Sequence, residues 1–228
     1  MSTLQVHLHP LSSYCWKVLI ALYEQGTPFE ARVVNFGDAE ARAAFRALWP
    51  AGKIPLLVDG ERVVPETSIQ IEYLEHRYPG RTSLLPAEFE AQLAVRLWDR
   101  LFDQYVMTPM QRHIGQLLRP EADRDALTLS GTRQELASAY ALIETRMGEH
   151  TWAAGESFTM ADCAAAPSLF YAAVVQPFAP EQVRLAAYFE RLVARPSVQR
   201  VIAEAQPFFQ YFPLNGDLPA RFRGDTGR

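Results

Sequence analysis

The chain is 228 residues long with a mass of 25.7 kDa, and 22 Lys plus Arg against 26 Asp plus Glu leave a formal net charge of −4. That length suits two compact domains; 49% hydrophobic and 21% charged residues exclude a disordered chain, and the mild acidity excludes the clustered basic excess of a nucleic-acid-binding face. With only Cys15 and Cys163 a disulfide scaffold is excluded, and five scattered histidines without a paired-cysteine motif exclude the commoner zinc patterns, so no metal is expected.

Leu4-Gln5-Val6-His7-Leu8 alternates apolar and polar residues and predicts a short strand. From Ser13 onward Val18, Leu19, Leu22 and Tyr23 recur at helical spacing until Gly26 and Pro28 stop the run. A second strand is expected over 29–34 and a helix over 39–48, closed by the turn Trp49-Pro50-Ala51-Gly52. Ile54-Pro55-Leu56-Leu57-Val58, the turn Asp59-Gly60 and Arg62-Val63-Val64 read as a hairpin, because Asp-Gly between apolar runs is a strong turn signal. A helix over 67–78, closed by Pro79-Gly80, completes a βαβ unit followed by a hairpin and a helix.

From about Glu88 the pattern is helical throughout. Leu93, Leu97, Leu101, Phe102 and Tyr105 mark a long helix with a bend expected at Pro109. Leu136, Tyr140, Ile143 and Met147 form the stripe of a helix over 127–147, and further helices are expected over 160–175, 183–194 and 198–205. The expected organisation is an α/β domain over 1–80, a linker over 81–87, an all-helical domain over 88–210 and a tail over 211–228, its last ten residues mobile. No run approaches the ~18–20 apolar residues that cross a bilayer, and MSTLQVHLHP carries no basic segment leading into an apolar core. Cytoplasmic residence follows as an expectation, with no membrane partner.

Three short segments carry chemistry. Ser12-Ser13-Tyr14-Cys15 stands where the first strand gives way to the first helix, in the spacing of a redox Cys-x-x-Cys with Ser12 in the first position. A helix start exposes unpaired N–H groups and partial positive charge, so a hydroxyl or thiol there can stabilise a thiolate; equally, Ser12 or Ser13 can simply cap the helix while Cys15 packs beneath it. Lys53-Ile54-Pro55 precedes the hairpin. A cis peptide there would offer the backbone of Ile54 to an extended ligand, whereas a trans proline would merely open the strand. Pro65-Glu66-Thr67-Ser68 begins the third helix, where Thr67 can meet a carboxylate and Glu66 an ammonium, or both can serve as cap and first turn. Singly, each segment leaves both readings open.

Taken together, and in this order, the three segments resemble the N-terminal domain of cytosolic glutathione S-transferases. Ser12-Ser13-Tyr14-Cys15-Trp16-Lys17-Val18 is similar to theta- and zeta-type active-site segments, as found in bacterial members, and Trp49-Pro50-Ala51-Gly52-Lys53-Ile54-Pro55-Leu56-Leu57 looks like the family's Asn-Pro-x-x-Lys-Val-Pro-x-Leu. Glu66-Thr67 matches the family's Glu-Ser pair, and Gly155-Glu156-Ser157-Phe158-Thr159-Met160-Ala161-Asp162 resembles its helix-capping segment, in which Asp162 reaches back as in a capping box. The resemblance runs to about Ala205. It departs at Trp49, where Asn is usual, at Thr67, where Ser is usual, and at Lys53, where zeta-type isomerases carry Gln; that last departure tells against maleylacetoacetate isomerisation.

The resemblance implies a thioredoxin-like N-terminal domain with cis-Pro55, an all-α C-terminal domain and a homodimer. It implies glutathione as co-substrate, with Ser12 catalytic through a hydrogen bond to the sulfur, and conjugation to a small electrophile as detoxification. Lys53 would hold the glycyl carboxylate, Ile54 the cysteinyl backbone, and Glu66 and Thr67 the γ-glutamyl head. Alternatives on the same fold are a disulfide reductase using Cys15, an isomerase, or a non-catalytic binder of glutathione or other ligands. Cys163 is expected in the core, and His76, His113 and His150 at the surface or at helix ends, while His9 borders the site. Tyr105, Met107 and Met110 are candidates for the electrophile pocket, with core packing as the alternative. Asp99 and Asp103 lie where a partner subunit's carboxylate would reach the ligand's ammonium, and the aromatic run Phe208-Phe209-Gln210-Tyr211-Phe212-Pro213 is placed over the cleft.

Overall fold

Alternation in Gln5-Val6-His7-Leu8 turns Val6 and Leu8 inward, and this segment, β1 (Gln5–Leu8), lies inside the sheet of the computed structural model, which describes residues 3–224. It pairs in parallel with β2 (Glu30–Val33) and antiparallel with β3 (Leu56–Asp59), which in turn pairs with β4 (Arg62–Val64), giving the order β2-β1-β3-β4. Gly60 turns that hairpin at φ 62°, a conformation that favours glycine. Helix α1 (Ser13–Gln25) links β1 to β2; α2 (Ala39–Leu48) and α3 (Thr67–Arg77) complete the α/β unit.

Helix α1 is buried on nearly every side because it packs against α3 on one flank and against helices of the second half on the other. Those helices are α4 (Phe89–Leu101), α5 (Thr108–Leu117), α6 (Ala126–Arg146), α7 (Met160–Val175), α8 (Val183–Val193) and α9 (Pro196–Ala205), with α7 almost wholly buried at the centre of the bundle. In place of the bend expected at Pro109, a π-helical segment, Phe102–Met107, joins α4 to α5, and Pro109 sits in the first turn of α5, where its missing N–H costs little. The Thr108 N–H reaches back to the Asp103 carbonyl, and the Thr108 hydroxyl donates to the same oxygen at 2.9 Å.

Two further expectations are corrected. His113 is buried between α5 and α6, with Nδ1 2.9 Å from Thr132 Oγ1. Of the last ten residues, expected to be mobile, Ala220–Arg223 form α10, reached through 3₁₀ segments at Gln206–Tyr211 and Asn215–Asp217, and its Phe222 packs on Phe170 and Phe189, while 225–228 lie outside the described residues.

A salt bridge joins the halves. Arg195 donates through Nε to Glu24 Oε1 at 2.9 Å and through Nη2 to Oε2 at 2.5 Å, and the Ser197 hydroxyl also donates to Oε1. Burial alone would raise the Glu24 pKa, but these donors outweigh it and hold the carboxyl below its ordinary value. With the folded value depressed, the stabilisation is fully present above the unfolded glutamate pKa of about 4.3 and is lost as pH falls through the folded value. Glu24→Gln is expected to cost about 1–2 kcal/mol near neutral pH, after allowance for partial solvent screening. Urea melts of the two proteins from about pH 3 to 7 should converge at the acid end.

Candidate functional site

The end of β1 delivers the chain to the start of α1 through a fixed loop. The Ser12 N–H donates to the His9 carbonyl at 2.9 Å, the Leu11 N–H donates to His9 Nδ1 at 3.2 Å, and Tyr171 of α7 donates its hydroxyl to the Leu11 carbonyl at 3.1 Å. Burial lowers the His9 pKa, so its ring stays neutral at pH 7. Ser12 caps α1, its Oγ accepting the Cys15 N–H at 3.3 Å. Capping uses a lone pair and leaves the hydroxyl proton free to donate, so capping and a catalytic role are compatible in one side chain.

Two cavities flank this first turn. The smaller, about 310 Å³, is lined by Ser12, Met110, Gln111, Tyr171 and Phe212 among others, all of its lining residues being uncharged. Tyr211, Phe212 and Pro213 bring the tail over it. Of the other pocket candidates on the long helix, Met107 is buried in the core and Tyr105 points to solvent. The larger cavity, about 580 Å³, lies between α3, the Lys53–Pro55 loop and α4 and brings together Lys53, Ile54, Glu66 and Thr67. The Ile54–Pro55 bond is cis, and Gln70 of α3 donates to the Pro55 carbonyl at 2.8 Å. Glu66 has φ 64°, the only non-glycine residue with positive φ among the described residues, and it precedes Thr67 at the first turn of α3.

Cys15 is wholly buried and its thiol is pushed up to about 12, burial outweighing the Ser12 and His9 hydrogen bonds. A thiol held there is protonated and unreactive at pH 7. Burial raises the Cys163 thiol as well.

Sequence reasoning missed a buried cluster behind the larger cavity. Lys17, in the second turn of α1, has no exposed surface and places Nζ 2.6 Å from Asp99 Oδ1, 2.8 Å from Asp103 Oδ2 and 3.0 Å from Ser68 Oγ. The two aspartates, expected to serve a partner subunit, are thus engaged inside their own chain, because Lys17 would otherwise be an unpaired buried cation. A lone lysine inside the apolar run from Cys15 to Leu22 was the available signal.

Residues 7–82 match the description "Glutathione S-transferase, N-terminal domain" and residues 104–196 "Glutathione S-transferase, C-terminal domain". Glutathione S-transferase 3 of Zea mays is 30% identical over 211 residues, covering 89% of this chain and 95% of the relative. A glutathione S-transferase from Methylobacterium radiotolerans, solved in complex with glutathione sulfonate, is 28% identical with a TM-score of 0.74, covering 88% of this chain and 94% of that one. Poplar glutathione transferase F1, at 18% identity and TM-score 0.80 over 91% of this chain and 100% of that one, shares the fold.

Proposed function

The chain belongs to the glutathione S-transferase superfamily and is a transferase of that kind; from that premise we propose that the larger cavity takes glutathione and the smaller one the electrophile. The observation that carries this reading is the placement of the two cavities on either side of the first turn of α1, the larger touching it at Tyr14 and the smaller at Ser12 and Ser13. In the proposal the γ-glutamyl carboxylate meets the Thr67 hydroxyl and the N–H groups at the start of α3. Glu66 faces the ammonium, the backbone of Ile54 pairs with the cysteinyl residue, and Lys53 faces the glycyl carboxylate. Ser12 donates to the sulfur, which attacks the electrophilic carbon as the thiolate; the thiol proton leaves to solvent, and with an aryl halide the carbon–halogen bond breaks and the halide departs.

The uncharged lining of the smaller cavity favours a compact, neutral, aromatic electrophile over an anionic one. Ile69 on α3 and Phe89, Leu93 and Leu97 on α4 are exposed, an apolar surface that supports a homodimer. No helix among the described residues is long and apolar enough to cross a membrane, and the proposal places the protein in the cytoplasm on the division 1–80, 81–87, 88–210 and tail.

Titration calorimetry with glutathione, followed by turnover of a panel of aryl halides, hydroperoxides and mixed disulfides, tests the reading. Glutathione is expected to bind and an aryl halide to be conjugated, and Thr67→Ala to weaken glutathione binding by about tenfold with kcat at saturation little changed. Absence of glutathione binding would overturn the reading. Binding without turnover would favour a carrier, and turnover of mixed disulfides alone, lost in Cys15→Ser, would favour a reductase.

A further inference from the structure

Loop backbone at a protein surface commonly leaves its polar groups to water, but the two peptide groups that precede Ser12 are held at both ends by the chain itself. In the first, between Pro10 and Leu11, the carbonyl accepts the Trp16 indole N–H at 2.6 Å and the Leu11 N–H donates to His9 Nδ1 at 3.2 Å. In the second, between Leu11 and Ser12, the carbonyl accepts the Tyr171 hydroxyl at 3.1 Å and the Ser12 N–H donates to the His9 carbonyl at 2.9 Å. A peptide group is planar, so fixing both of its polar ends fixes the plane. With the second plane fixed and Ser12 seated as the cap of α1, the direction in which its side chain leaves the backbone is set. Three of the four partner groups are side chains, and each is itself held. Trp16 has no exposed surface, Tyr171 lies between Trp16 and Phe212 with ring centroids 5.2 and 5.3 Å away, and His9 meets Phe208 edge-on at 5.3 Å.

We propose that His9 and Tyr171 are positioning residues for the transfer: by holding the N–H and the carbonyl of Leu11 they aim the Ser12 hydroxyl at the glutathione sulfur. The assignment rests on the role of Ser12 proposed above. A hydrogen bond weakens steeply as its alignment is lost, and a displacement of about 1 Å at a reacting centre can cost about 100-fold in rate. Slack in this loop therefore reaches the chemistry, although both side chains act only through the backbone. Tyr171 also lines the smaller cavity, but a phenol has one proton, and that proton is committed to the Leu11 carbonyl. His9 accepts from the N–H two residues ahead, the bond that an Asn or Asp side chain makes in an Asx turn. Its role thus needs an acceptor at that place rather than an imidazole. The aromatic tail enters as support, Phe208 behind His9 and Phe212 behind Tyr171.

The test measures glutathione affinity by calorimetry and kcat with an aryl halide on the full-length protein. Tyr171→Phe, which removes one oxygen and keeps the ring, is expected to lower kcat by about 5- to 20-fold with the glutathione Kd within about twofold of wild type. The bound thiol should titrate about 0.5–1 unit higher, read from thiolate absorbance. His9→Phe, which keeps a ring against Phe208 but loses the acceptor, should do the same, and His9→Asn should restore kcat to within about threefold of wild type. In a Ser12→Ala background Tyr171→Phe should lower kcat by less than about twofold, because no hydroxyl is left to aim. An equal fall in both backgrounds overturns the proposal, as does wild-type kcat in Tyr171→Phe and His9→Phe. So does a change confined to the KM of the aryl halide, which would make Tyr171 only a wall of the smaller cavity. His9→Asn as impaired as His9→Phe removes His9 from the assignment. Absence of glutathione binding by the wild type, or full turnover in Ser12→Ala, overturns instead the reading on which the assignment rests. Wild-type glutathione affinity shows that a variant is folded; should His9→Phe not reach it, His9→Leu takes its place, and the Tyr171→Phe cycle decides in either case.

Discussion

Ser12→Ala is expected to lower kcat by about 10- to 100-fold, because a hydrogen bond to a charged group contributes about 1.5–3 kcal/mol and each 1.4 kcal/mol is tenfold in rate. A free thiol titrates near 8.5 and is only a few per cent thiolate at pH 7. On the proposed role, the Ser12 hydrogen bond is expected to lower that value by about 1–2 units, and the start of α1 to add roughly 0.3–1 kcal/mol more in the same direction. Without the hydroxyl the bound thiol should titrate about 1–2 units higher, visible in thiolate absorbance and in the pH dependence of kcat/KM, while glutathione affinity stays nearly constant. Ser12 also caps α1, so alanine costs about 0.5–2 kcal/mol of stability, whereas glycine at a cap costs only a few tenths. Ser12→Gly should therefore lose as much activity as Ser12→Ala with a melting temperature close to wild type. Full turnover and an unmoved thiol pKa in both variants would remove Ser12 from the mechanism.

The elements legible in the sequence are those whose ends are written locally. Helix α2 runs over the expected residues because Asp38 caps it, accepting the Glu40 N–H at 2.8 Å, and because Trp49-Pro50 cannot continue it. Lys53, Ile54, Glu66 and Thr67 meet in one cleft for a related reason: each sits at a turn or helix start, and the sheet order brings those turns to one end of the domain. The Lys17 cluster was not legible in this way. Its partners lie 51 and 86 residues away for Ser68 and Asp103, and only the packing of α1 against α3 and against the second half brings them together. The same holds for His113, which looks like an ordinary helix histidine until α6 covers it, and for Phe222, whose burial depends on Phe170 and Phe189. The π-helical segment leaves a weak trace in Thr108-Pro109, but a proline alone signals a disturbance, not its position.

Asp162→Ala should be the most damaging substitution to stability. The sequence places Asp162 in the cap of α7, reaching back to Thr159, and it does accept the Thr159 N–H at 2.8 Å and the Thr159 hydroxyl at 3.2 Å through Oδ2. Its other oxygen accepts the Ala153 N–H at 3.0 Å and the Tyr188 hydroxyl at 2.6 Å. The carboxyl is fully buried without an ion-pair partner among the described residues; burial pushes its pKa up, and these four donors pull the other way. Removing it strands the N–H groups of Ala153 and Thr159 and the Tyr188 hydroxyl in an apolar interior, at about 1–3 kcal/mol for each group, partly offset because a buried charge disappears as well. The net loss should be about 3–5 kcal/mol in urea or thermal melts, with Asp162→Asn intermediate because the amide oxygen can still serve one side of the network. Turnover per folded molecule should hardly change at low temperature: Tyr171, which braces the Leu11 carbonyl beside Ser12, lies on the later turns of α7, beyond the cap. A loss below about 1 kcal/mol would mean that the apolar packing of α7, rather than its cap, seats the helix.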